Sequence, residues 1–209
     1  MLCFETILWF VYKCILTCHN ILVNKNNQSG GDMLTSVFMG ALLLGGELAG
    51  ITLPDEISSN NQVLSLNGMG LREFLLVDIY VAGLYLPFKS SDPTKIINAD
   101  VPKRIEAHFI LPKVPKDRMI KSLMQNLNNN KEVSENIQEE IQMCMKFLQD
   151  FQKGDVMIFD YLPNKGTSII INGALKGTIP GFDFGKAVFT IYVGPKPASA
   201  QLKKGLLGP

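Results

Sequence analysis

The stretch that most constrains the fold of this chain is residues 74–86, Phe-Leu-Leu-Val-Asp-Ile-Tyr-Val-Ala-Gly-Leu-Tyr-Leu. Read at a period of two, Leu75, Val77, Ile79, Val81 and Tyr85 share one almost wholly apolar face. The other face sets Asp78 and Tyr80 among Phe74, Leu76 and Leu84. Such a strand needs cover on both sides, so it belongs inside a sheet with a further layer packed on it. A second strand is expected over residues 62–66. The cluster Asn67-Gly68-Met69-Gly70 between the two reads as a turn. Residues 104–111 alternate as well, with Ile105, Ala107, Phe109 and Leu111 on one side. Arg104, Glu106 and His108 lie on the other, which makes His108 a solvated strand residue among charges.

The period then changes from two to about four. Residues 116–128, just after Pro115, carry Met119, Leu123 and Leu127 at helical spacing. Residues 132–152 read as one longer helix with Ile137, Ile141, Met145, Leu148 and Phe151 as its buried stripe, closed by Lys153-Gly154-Asp155. Strands follow at 156–161 and 168–171, with a turn at 163–166 between them. Asn172-Gly173 marks a hairpin. Short helices are expected near Asp183 and Ser199. Strands, helices and strands again describe an α+β domain with a largely antiparallel sheet under helices.

The chain divides at residue 46. Residues 1–46 hold two apolar stretches, 1–23 and 34–46, joined by a polar Asn/Gly/Ser segment at 24–32. The second is about the length of a signal-peptide apolar region and shorter than a membrane span. The expectation is a leader and a periplasmic or secreted protein; the alternative is retention in a membrane through this segment. Residues 47–209 form the domain, long enough for one sizeable core.

A formal charge of +1 leaves no basic field to collect nucleic acid. Two histidines, His19 and His108, and no CxxC spacing give no basis for a metal site, and no cofactor is implied. Cys3, Cys14 and Cys18 lie in the N-terminal stretch, and Cys144 stands alone in a helical apolar pattern as a small buried hydrophobe. There is no GxSxG, no phosphate-binding loop and no full dinucleotide fingerprint.

The run Leu66-Asn67-Gly68-Met69-Gly70-Leu71-Arg72, followed by Val77-Asp78-Ile79-Tyr80-Val81-Ala82-Gly83-Leu84-Tyr85-Leu86, resembles the central pattern of chalcone-isomerase-like proteins. Lys103-Arg104-Ile105, Lys153-Gly154-Asp155, Ile171-Asn172-Gly173 and the ending around Leu202 to Gly208 add to it. The resemblance is to the bacterial, leader-bearing branch more than to the plant enzymes. It implies a large antiparallel sheet, helices packed on it and an apolar cleft between the layers. In the fatty-acid-binding relatives an arginine and a tyrosine hold the ligand carboxylate, and Arg72 and Tyr80 match those positions. The isomerases carry threonine where Tyr80 stands. They also use a tyrosine and an asparagine from a segment matching residues 111–126, where this chain has no tyrosine and only Asn126.

The leading expectation is therefore a non-catalytic binder of a fatty acid or similar small apolar acid, held by Arg72 and Tyr80. A guanidinium and a phenol suit that role as donors to a carboxylate. An isomerase or lyase using Arg72 on an enone or phenolic substrate is the alternative, and a structural role in the cell envelope is a third. Arg72 paired with Asp78 or Glu73 would be purely structural. One geometric tension stands: eight residues of straight strand span ~26 Å, and no Gly or Pro between 74 and 79 announces a turn that would bring the two side chains together.

Overall fold

The structure, a computed structural model, describes residues 46–208; the leader, the anchor and Cys3, Cys14 and Cys18 lie outside the described residues. The chain opens with β1 (Gly46–Leu48) and β2 (Ile51–Leu53), paired with each other. Then come β3 (Glu56–Ser59), β4 (Gln62–Phe74), β5 (Val77–Leu86), α1 (Pro93–Asn98), β6 (Lys103–Phe109), β7 (Lys113–Val114) and α2 (Lys116–Asn129). The second half runs α3 (Lys131–Ser134), α4 (Gln138–Phe147), β8 (Phe151–Gln152), β9 (Val156–Leu162), β10 (Gly166–Ile171), β11 (Ala174–Ile179), α5 (Phe182–Val193) and α6 (Ala200–Leu206). Seven strands make one antiparallel sheet in the order β11-β10-β9-β6-β5-β4-β3. Among the described residues no helix is long and apolar enough to cross a membrane.

Helix α5 is the centre of the helical layer. From Phe184 to Val193 every residue but Lys186 is buried, as expected of a helix apolar all round. It packs with Tyr161, Ile169 and Ile105 of the sheet into the main core. Cys144 sits in that core, fully buried, and burial pushes its thiol up to about 12. It is an inert hydrophobe, as its pattern suggested. His108 bonds Glu106 at 2.8 Å and is partly buried. Its neighbour on that face, Arg104, grips Asp160 with Nε and Nη2 at 3.1 and 2.8 Å, and Ser59 donates to the same carboxylate.

Two expectations need correction. The cluster Asn67-Gly68-Met69-Gly70 is not a turn; it lies inside β4. Asn67 is the extra residue of a bulge, and its amide donates to Ser90 O and Leu206 O while its oxygen accepts from Ser90 N. The glycines let α6 lie directly on the strand: a Cβ on Gly70 would stand 2.3 Å from the Leu202 carbonyl oxygen. The expected helix over 132–152 is three pieces: α3, α4 and the strand β8. Ile137, Ile141, Leu148 and Phe151 are all buried as the stripe required. The chain leaves helical conformation at Leu148, however, because residues 151–152 pair with β7.

Candidate functional site

The turn missing from the sequence reading falls at Leu75-Leu76, between β4 and β5. Both residues have positive φ, 50° and 65°, as a two-residue type I′ hairpin requires. The fold-back puts Arg72 directly across from Tyr80 in the β4–β5 register, where facing side chains stand ~5 Å apart at Cβ. The 26 Å separation therefore does not arise. Sequence reasoning missed the turn because leucine is among the residues least suited to it.

Tyr80 is almost wholly buried, and its ring meets Phe109 edge-on at 5.5 Å. Arg72 is half-buried. Its guanidinium donates to the Glu73 carbonyl oxygen at 2.8 Å and lies 6.0 Å from the Phe74 ring centroid. Among the described residues it forms no ion pair, so the purely structural pairing with Asp78 or Glu73 is not made. Glu73 and Asp78 instead face each other across the hairpin.

The residue that sequence reasoning overlooked is Tyr192, on the buried helix α5. Burial raises the Tyr80 phenol above its ordinary value, and the positive charge of Arg72 and the Tyr192 hydroxyl pull against that rise. Burial likewise raises Tyr192, and the charge of Arg72 reaches it too. The charge of Arg72 thus acts on both buried phenols, which stay neutral as hydrogen-bond donors. A lone tyrosine in segment 187–193, apolar apart from Thr190, was the available signal, since a buried hydroxyl there needs a polar neighbour.

Tyr80 and Tyr192 open onto a cavity of about 60 Å³ between the sheet and the helices. Met157 and Phe159 floor it. Met119, Leu123 and Asn126 of α2, Cys144 of α4 and Val188 of α5 close it. Pockets for drug-sized ligands run to ~300–1,000 Å³, so as it stands the space suits a head group and not an acyl chain. A larger, more open groove of about 650 Å³ runs beside β1, β4 and α6. Its lining includes no tyrosine, whereas the smaller cavity is lined by both Tyr80 and Tyr192; Arg72 lines neither and stands across the strand pair from Tyr80. Among the described residues no group of three His, Cys, Asp or Glu side chains is placed to hold a metal ion.

The buried phenols set an alkaline limit on the fold. Tyr80, Tyr85, Tyr161 and Tyr192 are all raised, first by burial, above the ~10 of an unfolded tyrosine. The folded state holds these protons more tightly, so their stabilisation is complete below pH ~10 and is lost as pH climbs through the folded values. The amine of Lys103 runs the other way. Burial lowers it to about 8, so the unfolded chain binds the extra proton between there and ~10.4, and stability rises across that window. The urea midpoint should climb gently from pH 8 to 10 and fall steeply above it, with phenolate absorbance appearing together with unfolding. Four phenols that ionise near pH 10 in a still-folded chain would contradict this.

The family model for chalcone isomerase-like proteins matches residues 45–208. Among curated protein sequences none matches the chain. Among solved structures, the crystal structure of an Arabidopsis thaliana fatty-acid binding protein superposes with a TM-score of 0.61 at 17% identity, covering 76% of this chain and 92% of that one. At that identity the likeness speaks for the fold, and the expected α+β architecture, an antiparallel sheet under helices, is the one observed. With the family pattern running unbroken through β1 to α6, the chain belongs to the chalcone isomerase-like family.

Proposed function

We propose that this protein binds a fatty acid or a similar small apolar acid without transforming it. The carboxylate would sit at Arg72, Tyr80 and Tyr192, and the tail in the space between sheet and helices. The observation that carries this reading is the pairing of Arg72 with Tyr80 across the hairpin: Tyr80 lines an apolar cavity, and among the described residues no carboxylate meets the guanidinium. A partly buried cation of that kind calls for an anion. The solved fatty-acid binding protein of the same fold supports the choice of ligand class.

An acyl chain needs more room than the cavity offers, and the helices α2, α3 and α4 are the part of the wall suited to move. Only Leu127 of the fourteen residues of α2 is fully buried. None of the three helices has a side-chain hydrogen bond at its N-cap, where a good cap contributes ~1 kcal/mol. Met119, Met124 and Met145 on this layer are unbranched and repack easily. Opening therefore occurs in the least stabilised part of the domain.

The test is native mass spectrometry and fatty-acid titration of the chain beside its Arg72→Ala and Tyr80→Phe variants. Losing charge-assisted hydrogen bonds to the head group should weaken binding ~10- to 100-fold in Arg72→Ala, and less in Tyr80→Phe. No uptake by the unaltered protein, or equal uptake by Arg72→Ala, would sink the proposal. A second reading draws on Asn126, which lies on the cavity wall as an additional amide: an enone carbonyl polarised by Arg72. Turnover of an enone that disappears in Arg72→Ala would favour it.

A further inference from the structure

Four two-residue hairpins in this domain have both central residues at positive φ. They are Ala49-Gly50 (49° and 76°), Asn60-Asn61 (48° and 64°), Leu75-Leu76 (50° and 65°) and Asn172-Gly173 (52° and 77°). Three of them place asparagine or glycine, which tolerate this conformation, in at least one of the two positions. The fourth uses leucine at both, which the left-handed region disfavours. The same chain thus builds the turn with asparagine or glycine three times and with neither once, at the end of the hairpin that carries Arg72 and Tyr80. Turn geometry gives no reason for leucine there, so the side chains themselves are the reason.

Those side chains face solvent. Phe74, Leu75, Leu76 and Val77 are 57%, 80%, 92% and 46% exposed, four apolar residues in a row on a convex tip. Isolated exposed leucines are ordinary, but an exposed run of this length marks a contact surface. We propose that residues 74–77 dip into a neutral lipid surface, bringing the mouth of the Arg72–Tyr80 site to the medium in which apolar acids dissolve. The choice of lipid rests on the binding function proposed above; the insertion rests on the tip itself.

Two features favour lipid over a protein partner. A flat protein patch is met by a one-sided apolar face, whereas this tip is apolar at all four positions and has no polar side to turn outward. Glu73 and Asp78 stand opposite each other just behind it and outnumber the one cation there among the described residues, Arg72, so this charged collar halts deeper entry and its net negative charge resists an anionic surface. A neutral, zwitterionic surface fits both.

The test uses the full chain with its single tryptophan removed (Trp9→Phe) and an indole introduced by Leu76→Trp. The control is Leu175→Trp, at another exposed leucine beside the β10–β11 turn. With vesicles of brominated phosphatidylcholine, emission from position 76 should shift to the blue and be quenched, while emission from position 175 stays unchanged. Because the signal is local, attachment through residues 1–45 does not mimic it. Four results would overturn the proposal: no quenching at position 76; equal quenching at both positions; stronger quenching on anionic than on neutral vesicles; and a blue shift without vesicles that grows with protein concentration, which would assign the tip to a second copy of the chain. Fatty-acid uptake in vesicle-free solution separates this proposal from the binding function. Leu75→Asn/Leu76→Gly should take up ligand like the unaltered chain. Loss of site function in Arg72→Ala is read in that solution assay and leaves quenching at position 76 as it was.

Discussion

Replacing Gly70 with alanine should lower stability by at least ~3 kcal/mol, the upper range of overpacking penalties. Helix α6 lies so close to β4 that the added Cβ would stand 2.3 Å from the Leu202 carbonyl oxygen and 3.0 Å from its Cα. A Cβ on Gly68 would stand 2.3 Å from the Gly205 carbonyl oxygen, and one on Gly205 would stand 2.2 Å from that of Met69. Every obstacle is backbone, so no rotamer change relieves it and the helix itself must lift. Lifting it uncovers Leu202 and Leu206, both fully buried, and breaks the Asn67 bond to Leu206 O. Once α6 has moved, a second alanine at Gly68 adds little, because both clashes share one remedy. Gly177→Ala is the control: its Cβ meets only the far end of the Phe147 ring, which can turn aside. Chemical denaturation of Gly68→Ala, Gly70→Ala, Gly177→Ala and the Gly68→Ala/Gly70→Ala double variant measures these effects. A Gly70→Ala loss below ~1 kcal/mol, or fully additive losses, would show that α6 is not seated as described.

Lys103→Met is expected to remove ~3 kcal/mol, about 10 °C in the melting temperature of a domain this size. The ammonium is wholly buried and donates to Ile96 O, Ile97 O and Ala99 O at 2.9, 3.1 and 2.9 Å. These are carbonyls of the last turn and C-cap of α1, left without helical partners. The rings of Phe189, Phe182 and Tyr161 surround the charge at 4.8, 5.2 and 5.5 Å, adding cation–π attraction. Methionine keeps most of the volume but leaves three buried acceptors unmet, each worth ~1–3 kcal/mol when stranded. Relief from burying a charge offsets part of that loss, so the figure is smaller than the sum. The rise in stability between pH 8 and 10 should also vanish in this variant, because the group responsible is gone. A Lys103→Met protein as stable as the parent, or one that retains that rise, would show that the carbonyl cluster finds its donors elsewhere.

The sheet and most of its strands were legible in the sequence because a strand covered on both faces must be apolar on both, and residues 77–86 could be little else. The same holds for the buried helix α5 and for the hairpin at Asn172-Gly173, whose residues suit positive φ and nothing stiffer. What misled was punctuation. Glycine usually marks a turn, but Gly68 and Gly70 serve a close approach between backbones some 130 positions apart in sequence, which no local pattern records. Leu75-Leu76 makes a turn that its residues oppose, so only the register of β4 on β5 discloses it. The apolar stripe from Ile137 to Phe151 named four buried residues correctly, with Met145 only half-buried. It concealed the break at Leu148, where pairing with β7 outweighs helical continuation.

The candidate site divides in the same way. Arg72 and Tyr80 came from a family resemblance in the sequence, while their meeting depended on a turn visible only in three dimensions. Tyr192 could be suspected locally as a buried hydroxyl, but nothing local linked it to Arg72 and Tyr80, more than a hundred residues away. Sequence by itself determined most of the apolar core and most of the extended and helical segments, because those follow from hydrophobic period and backbone preference; it did not show that Phe74 to Val77 are exposed or that Lys103 is buried. Tertiary structure alone decided which polar groups share a site and how large its cavity is, because both arise from contacts between elements far apart along the chain.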